Sequence, residues 1–209
     1  MKIAIFIIAA LVSYLIAAVN PAILLSKLIY KKNICEEGSK NPGFTNFKRV
    51  FGMRWAWLVF ILDFSKAFLL EWLFGYLFEL ILGEGYRALG VAFTGMFAML
   101  GHAYPVWYKF KGGKAYLVVL STLWMLNWLV GLGCTLFMVL CVFIVKYMSL
   151  ATLLSILIGA VLLPILKTPL IPSIIYGLCV LFVIYRHKEN IKRLFKGEES
   201  KTYFFKSKK

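Results

Sequence analysis

The chain has 209 residues, of which 62% are hydrophobic and only 16% are charged. Soluble globular domains have roughly 45–50% apolar residues, so this composition leaves too few polar side chains to cover a water-soluble surface. It excludes an ordinary soluble enzyme, and also a disordered basic tail, which would be poor in aromatic residues. Because 24 lysines and arginines stand against nine acidic residues, the net charge is +15. We therefore expect an integral membrane protein whose positive charges follow its topology.

Apolar segments long enough to cross a bilayer recur along the whole chain. A transmembrane helix needs roughly 20 predominantly apolar residues. The candidate segments, in chain order, are Ile3–Ile29, Trp55–Phe78, Ala88–Tyr108, Ala115–Val145, Leu150–Leu166 and Leu170–Tyr185. We do not expect the start of the chain to be a cleaved signal peptide. Only Lys2 is charged there, and the apolar segment is longer than the roughly 7–15 residues typical of such peptides.

The 31-residue segment Ala115–Val145 decides the topology, because it is long for one helix and short for two. Two helices that turn near Gly131–Gly133 would bring 20 of the 24 lysines and arginines to one side of the membrane. A single helix would remove this asymmetry. Since lysine and arginine collect in short cytoplasmic loops, two helices are favoured.

The charge pattern therefore predicts an all-α integral membrane protein with seven transmembrane helices. Its N-terminus is expected outside and its C-terminus in the cytoplasm, with residues 1–209 forming a single domain. The expected cytoplasmic segments are loops at about 31–54, 109–114 and 146–149 and a tail at 186–209. Positive charge distributed by topology differs from the basic stripe of a nucleic-acid-binding face, so no nucleic-acid partner is predicted.

Motifs for metal-based or triad-based hydrolysis are missing from the sequence. It contains no DDxxD or HExxH pattern for a metal, no GxSxG, no HxxxxD and no Walker loop. We therefore predict a reaction that uses neither a metal nor a cofactor.

The segment Gly38–Arg49 has the composition of an anion-binding loop. Glycines allow successive backbone N–H groups to point at one anion. Four residues add side-chain donors, namely Ser39, Asn41, Thr45 and Asn46. Arg49 can bind a phosphate through two parallel hydrogen bonds. A glycine- and asparagine-rich turn between two helices would have the same composition, so this segment alone leaves both interpretations open.

Three further cytoplasmic segments carry weaker signals of the same kind. Lys109–Lys114 places a glycine pair between lysines at a helix start, which suits an anion or simply follows the positive-inside rule. Ser149 offers a hydroxyl at a span boundary, where it could equally cap a helix. His187 and Asn190 lie three residues apart and share a helix face, although a helix here could instead bind anionic lipids.

All four segments fall on one predicted side of the membrane, and together they are rich in phosphate-binding groups and poor in carboxylates. In order and spacing they resemble the motifs of the bacterial acyl-phosphate:glycerol-3-phosphate acyltransferases, which are integral membrane enzymes. The matching stretches read GSKNPGFTNFKR at Gly38–Arg49, GHAYPVWYKFKGGKAYLV at Gly101–Val118, YMSLATLLS at Tyr147–Ser155 and RHKENIKRLFKGEESK at Arg186–Lys201. Asp63 and Lys66 match a further Asp-x-x-Lys pattern in the second span.

The resemblance implies seven spans in the bacterial cytoplasmic membrane and an active site that faces the cytoplasm. It implies transfer of an acyl group from acyl phosphate to the 1-hydroxyl of glycerol 3-phosphate, which yields lysophosphatidic acid for phospholipid synthesis. The partners it implies are these two substrates and membrane lipid, with the acyl chain lying among the apolar helices.

The resemblance also implies roles for individual residues. Those implied to bind acyl phosphate are Ser39, Asn41, Gly43, Thr45 and Asn46. Those implied to bind glycerol 3-phosphate are Arg49, Lys111, Lys114, Ser149, His187 and Asn190. Those implied to be catalytic are Ser39, His187 and Asn190.

Several residues depart from the family pattern. Lys40 and Ala115 replace glycines, Phe44 replaces a small alanine, and Leu117 and Val118 replace an Ala-Thr pair. These changes bear on turnover and substrate preference, so a catalytically impaired homologue that binds phosphorylated lipids or partners is an alternative. A small transporter of phosphorylated solutes is a third interpretation, but it would need more polar groups near the bilayer midplane than these spans contain.

Overall fold

The computed structural model describes residues 2–203, and every regular element in that range is helical. The helices are α1 (Lys2–Ala17), α2 (Pro21–Tyr30), α3 (Phe44–Phe51), α4 (Met53–Leu82), α5 (Arg87–Ala103), α6 (Tyr116–Leu126), α7 (Trp128–Val145), α8 (Met148–Ile165), α9 (Leu170–Arg186) and α10 (Lys188–Phe195), with a 3₁₀ turn at Val106–Tyr108. The described range does not include Met1, at the N-terminus that is predicted to face the outside of the cell. It also does not include residues 204–209, the last six of the predicted tail.

Four helical stretches of the described chain are long and apolar enough to cross a membrane. They are Lys2–Tyr30, Arg87–Tyr108, Trp128–Val145 and Met148–Ile165. The pair α9 and α10, bent by 59°, would make a fifth. Helix α4 is 30 residues long but carries several charged side chains, and α6 has only 11 residues. The all-helical architecture is thus confirmed, whereas seven spans and the direction of the termini stay predictions.

The first span is broken where Asn20 precedes Pro21. The Asn20 side chain accepts a hydrogen bond from the backbone N–H of Ile23 at 3.1 Å, and proline suits the first position of a helix because it lacks an N–H to satisfy. The Asn20 amide also donates to the carbonyl of Pro42 at 3.2 Å. This break therefore attaches the loop between α2 and α3 to the membrane helices.

The apolar segment 115–145 does form two helices, but the predicted position of the turn near Gly131–Gly133 is wrong. The break lies at Asn127, whose side chain accepts a hydrogen bond from the backbone N–H of Val130 at 3.2 Å and so caps α7. Gly131 lies inside α7, and a Cβ there would approach Trp124 of α6 to 2.7 Å. The glycine thus serves close helix packing, as small residues do in membrane helices, and the asparagine starts the helix.

Helix α4 contacts five other helices, so the N-terminal helices pack around it. These helices are α1, α2, α3, α5 and α6. The buried Glu71 of α4 accepts hydrogen bonds from Ser121 at 2.9 Å and from Thr122 at 2.5 Å, which tie α4 to α6. The Glu71 carboxyl group is thereby satisfied inside the bundle, where an unpaired polar group would be costly.

Candidate active site

A cavity of about 1050 Å³ lies where the four polar segments meet the helices. One part of it, the polar part, is lined by Ser39, Lys40, Asn41, Gly43, Thr45, Asn46, Arg49, Lys114, Ser149, Arg186, His187, Asn190, Arg193 and Glu199. The other, the apolar part, is lined by Phe44, Trp57, Phe60, Leu117, Met138, Val139, Val142 and Phe143 and reaches Thr135. Thr135 precedes the end of α7 by ten residues, or about 15 Å of helix.

The loop before α3 is folded around one buried side chain, that of Asn46, which is 1% exposed. Its carbonyl oxygen accepts a hydrogen bond from the backbone N–H of Ser39 at 2.8 Å, and its amide donates to the carbonyl of Glu37 at 3.0 Å. Gly38 has φ of 55°, and a Cβ there would meet the Asn46 side chain. Asn46 therefore shapes the loop that presents Ser39 and Asn41 to the cavity.

The residues that depart from the family pattern differ in backbone conformation or in side-chain packing. Lys40 has φ of 58° and Ala115 has φ of 62°, so both lie in the left-handed region that glycine occupies without strain. Phe44 packs against Trp57 and Phe60, with ring centroids 5.5 and 5.7 Å apart. The extra bulk at Phe44 thus borders the apolar part, and the two glycine replacements affect the backbone of the polar part.

The loop before α6 is held from two sides. The Arg186 guanidinium donates to the carbonyls of Gly112 at 3.2 Å and Gly113 at 3.0 Å. On the other side, the backbone N–H of Gly113 donates to the carbonyl of His102 at 3.1 Å. A Cβ on Gly113 would collide with the His102 ring, so only glycine fits there. These contacts fix the direction in which the following Lys114 leaves the loop.

His102 belongs to a buried polar cluster with Asp63 and Lys66. The Asp63 carboxylate lies 2.8 Å from the Lys66 ammonium and 3.3 Å from Nδ1 of His102. Lys66 also donates to the carbonyl of Val19 at 2.9 Å, beside the break in the first span. The Asp-x-x-Lys pattern therefore connects the first span to the loop before α6.

Lys114 and His187 have protonation properties set by their surroundings. Lys114 donates a hydrogen bond to the side-chain oxygen of Asn190. Burial lowers the pKa of Lys114 to about 8. Nδ1 of His187 lies 2.8 Å from the carbonyl of Val183, which can only accept, so Nδ1 carries the proton. Burial, together with the charge of Lys114, lowers the pKa of His187 to about 4, so at neutral pH its Nε2 is an unprotonated acceptor.

A carboxylate from the tail completes the polar part. Glu199 Oε1 accepts hydrogen bonds from the Ser149 hydroxyl at 2.7 Å and the Asn190 amide at 2.6 Å. Its Oε2 lies 2.8 Å from Nε of Arg193. The serine and the asparagine come from segments about 40 residues apart, so the tail joins α8 to α10 at the cavity.

Ten of the eleven predicted site residues line the cavity, from Ser39 in the first loop to Asn190 in α10. Lys111 does not line it, and its side chain is exposed. A role for Lys111 therefore stays a prediction without support from its position. Five further residues that line the cavity had no predicted role in the site, namely Asp63, His102, Arg186, Arg193 and Glu199. All five lie inside or beside the matched motifs, which was the available signal.

Comparison with known proteins agrees with this geometry. The family model described as glycerol-3-phosphate acyltransferase matches residues 7–197. A glycerol-3-phosphate acyltransferase of Finegoldia magna is 35% identical over 197 residues, covering 93% of this chain and 95% of the relative. One of Staphylococcus aureus is 37% identical over 202 residues, covering 93% and 96%.

Two crystal structures with this fold are of PlsY (YgiH), described as an integral membrane glycerol 3-phosphate acyltransferase. Its glycerol 3-phosphate form matches with a TM-score of 0.85 and 28% identity, covering 95% of this chain and 96% of that chain. Its lysophosphatidic acid form matches with a TM-score of 0.82 and 29% identity, covering 95% of each.

Proposed function

This chain belongs to the glycerol-3-phosphate acyltransferase family, and we propose that its acyl donor is an acyl phosphate and its product lysophosphatidic acid. The observation that carries the proposal is a single cavity with two kinds of lining. Its polar part combines a loop suited to an anion with the cations Arg49, Lys114 and Arg186, which offset much of the charge of two phosphates. Its apolar part continues from that loop and can take a fatty acyl chain.

The proposal assigns each substrate to one set of cavity residues. The phosphate of the donor would lie against Ser39, Asn41, Gly43 and Thr45, in the loop that Asn46 supports from behind. Phe44 borders the apolar part from the same loop, so the acyl chain can extend past its ring. Glycerol 3-phosphate would then be bound by Arg49, Lys114, Ser149, His187 and Asn190.

The proposed reaction needs no acyl-enzyme intermediate. An acyl phosphate is a mixed anhydride, so the 1-hydroxyl oxygen of glycerol 3-phosphate attacks the acyl carbon directly. A new ester C–O bond forms, the anhydride C–O bond breaks, and inorganic phosphate leaves with the bonding electrons. The hydroxyl proton passes to an acceptor, either unprotonated Nε2 of His187 or a phosphate oxygen. The protein contributes positioning and charge stabilisation, of which positioning alone can supply roughly 7–11 kcal/mol.

The direct test is acyl transfer by the purified protein with acyl phosphate, acyl-CoA or acyl carrier protein as the donor. We expect lysophosphatidic acid from acyl phosphate and glycerol 3-phosphate, and a loss of product in Ser39→Ala and His187→Ala. If both variants made as much product as the wild type, the site assignment would be contradicted. Efficient transfer from acyl-CoA with none from acyl phosphate would contradict the donor. Binding of both substrates without any product would favour the catalytically impaired homologue.

We also propose that the chain forms one domain with seven spans in the bacterial cytoplasmic membrane, with the cavity facing the cytoplasm. The break at Asn127, which makes two helices of one apolar segment, supports the seven spans. In a variant without native cysteines, Lys111→Cys and Lys167→Cys should react with an impermeant thiol reagent from opposite sides of the membrane. Labelling of both from the same side would contradict this topology.

A further inference from the structure

The tail after α10 returns to the cavity along a defined path. Gly197, with φ of 71°, reverses the chain just past the end of α10. The backbone N–H of Thr202 then donates to the carbonyl of Lys146 at 2.7 Å, and the Lys48 ammonium donates to the carbonyl of Tyr203 at 2.8 Å. Glu199 lies between the reversal and these two attachments, so the tail carries its carboxylate to the polar part.

The Glu199 side chain is buried, although it lies on a mostly exposed segment. It is 8% exposed, whereas Glu198 and Ser200 on either side are exposed residues. Both carboxylate oxygens are used, since Oε1 accepts from Ser149 and Asn190 and Oε2 pairs with Arg193. A buried carboxylate is stable only when its charge and lone pairs are satisfied in this way.

These contacts determine which atoms the neighbouring side chains present to a substrate. Because the Asn190 amide nitrogen donates to Glu199, the Asn190 oxygen turns to Lys114 and accepts its hydrogen bond. Because the Ser149 hydroxyl donates its single proton to Glu199, its oxygen keeps lone pairs that can accept from a substrate hydroxyl. A chain of contacts thus runs from Glu199 through Asn190 to the Lys114 ammonium.

We propose that Glu199 is a positioning residue for glycerol 3-phosphate, which orients Ser149 and Asn190 and, through Asn190, Lys114. This inference rests on the proposed function of the cavity. Because the Glu199 carboxylate is paired with Arg193, the cations Arg49 and Lys114 remain for the substrate phosphate. Glu199 acts on the acceptor side of the site, because its hydrogen bonds and ion pair within residues 2–203 are to Ser149, Asn190 and Arg193 rather than to the loop that would bind the acyl phosphate.

The test compares Glu199→Gln with Glu198→Gln, which removes the same charge from the adjacent, exposed residue. For Glu199→Gln we expect KM for glycerol 3-phosphate to rise about tenfold, while KM for acyl phosphate stays within about twofold. Glu198→Gln should change neither constant by more than about twofold. Melting temperatures of both variants establish that the fold is retained.

A second readout follows from the charge of Glu199, which raises the pKa of Lys114 against the stronger lowering by burial. The other charged groups that act on Lys114 are Arg193, Arg186 and Arg49. Without the Glu199 carboxylate, the high-pH loss of kcat/KM for glycerol 3-phosphate should begin at lower pH. Glu199→Asp keeps the charge, so its pH profile should match the wild type although its KM is raised. A merely structural role would not shift the profile of a folded variant.

Two results would overturn the inference. One is an unchanged KM for glycerol 3-phosphate in Glu199→Gln. The other is a lower KM, which would show that the carboxylate competes with the substrate phosphate. If the wild type makes no product from acyl phosphate, the proposed function fails by itself. Calorimetric binding of glycerol 3-phosphate to the same detergent-purified variants then still tests Glu199.

Discussion

The polar part and the apolar part of the cavity are held in place by different forces. The polar part collects side chains from segments spread over the chain, and hydrogen bonds such as those of Asn46, Arg186 and Glu199 fix their directions. The apolar part is lined mainly by apolar side chains of α3, α4, α6 and α7, whose packing depends on shape and volume. Removing one hydrogen-bonding side chain from the polar part should therefore lower activity sharply. In the apolar part, the effect of a substitution should be proportional to the side-chain volume that it adds or removes.

The largest effect should come from Lys114→Met. It removes a partly buried ammonium that would face the substrate phosphate in the proposed site, so kcat/KM for glycerol 3-phosphate should fall about 100-fold, equivalent to ~2.7 kcal/mol. Lys111→Met is the matched control, since it removes the same charge from the same loop outside the cavity. It should change kcat/KM less than about threefold. Equal losses in the two variants would show that Lys111 also binds substrate.

Asn46→Ala should have the next largest effect. It removes the buried Asn46 amide, which accepts from the Ser39 N–H and donates to the Glu37 carbonyl; losing both hydrogen bonds costs about 1–3 kcal/mol and releases the loop. We expect kcat/KM for acyl phosphate to fall about 30-fold and the melting temperature to drop, because both depend on the loop geometry. Asn33→Ala, in the same connection but at an exposed side-chain contact, is the control and should retain near wild-type activity. Unchanged activity in Asn46→Ala would argue against a preformed loop.

The pH dependence should separate the two parts of the cavity. In the proposed site Lys114 would bind phosphate only when charged, so its contribution should be present below its pKa of about 8 and lost above it. Raising the pH from 7 to 9 should lower kcat/KM for glycerol 3-phosphate about tenfold, and Lys114→Arg should remove this loss because arginine stays charged. The preference between long and short acyl chains should stay constant over the same range. A preference that titrates with pH would contradict the separation.

The smallest effect should come from filling the apolar part with Val139→Trp. We expect the preference for palmitoyl over decanoyl phosphate to fall about fivefold, equivalent to ~1 kcal/mol or the burial of one to two methylene groups. Leu140→Trp is the control, because Leu140 is 61% exposed on the same helix and does not line the cavity. The same shift in both variants would place the acyl chain elsewhere.

The sequence predicted helices and their approximate limits well, because apolar length is a property of each segment alone. It also predicted that the segment 115–145 forms two helices, since the charge asymmetry requires it. The turn itself was misplaced because a capping asparagine and a glycine that serves helix packing look alike as helix breakers. Only the contact of Gly131 with Trp124 distinguishes them.

For the site, composition could indicate phosphate binding but could not separate Lys111 from Lys114. Only Lys114 lines the cavity, because the turn between the two lysines gives them different directions. The glycine pair in this turn is held by Arg186 and His102. Glu199 was equally hidden, because its approach to Ser149 depends on the path of the tail rather than on any local pattern. Both features depend on contacts between segments that are distant in the sequence, and a local pattern of residues does not encode such contacts.

The left-handed backbone of Lys40 has a consequence for the unfolded chain. Holding a lysine at φ of 58° costs about 1–2 kcal/mol in the folded loop. A glycine there would relieve that strain, but its unfolded state would have more conformational entropy to lose, worth about 0.4–1 kcal/mol. The entropy term offsets about half of the strain, so the lysine lowers the free energy of unfolding by about 1 kcal/mol. The sequence therefore exchanges glycine for a cation beside the proposed phosphate site at a modest loss of stability.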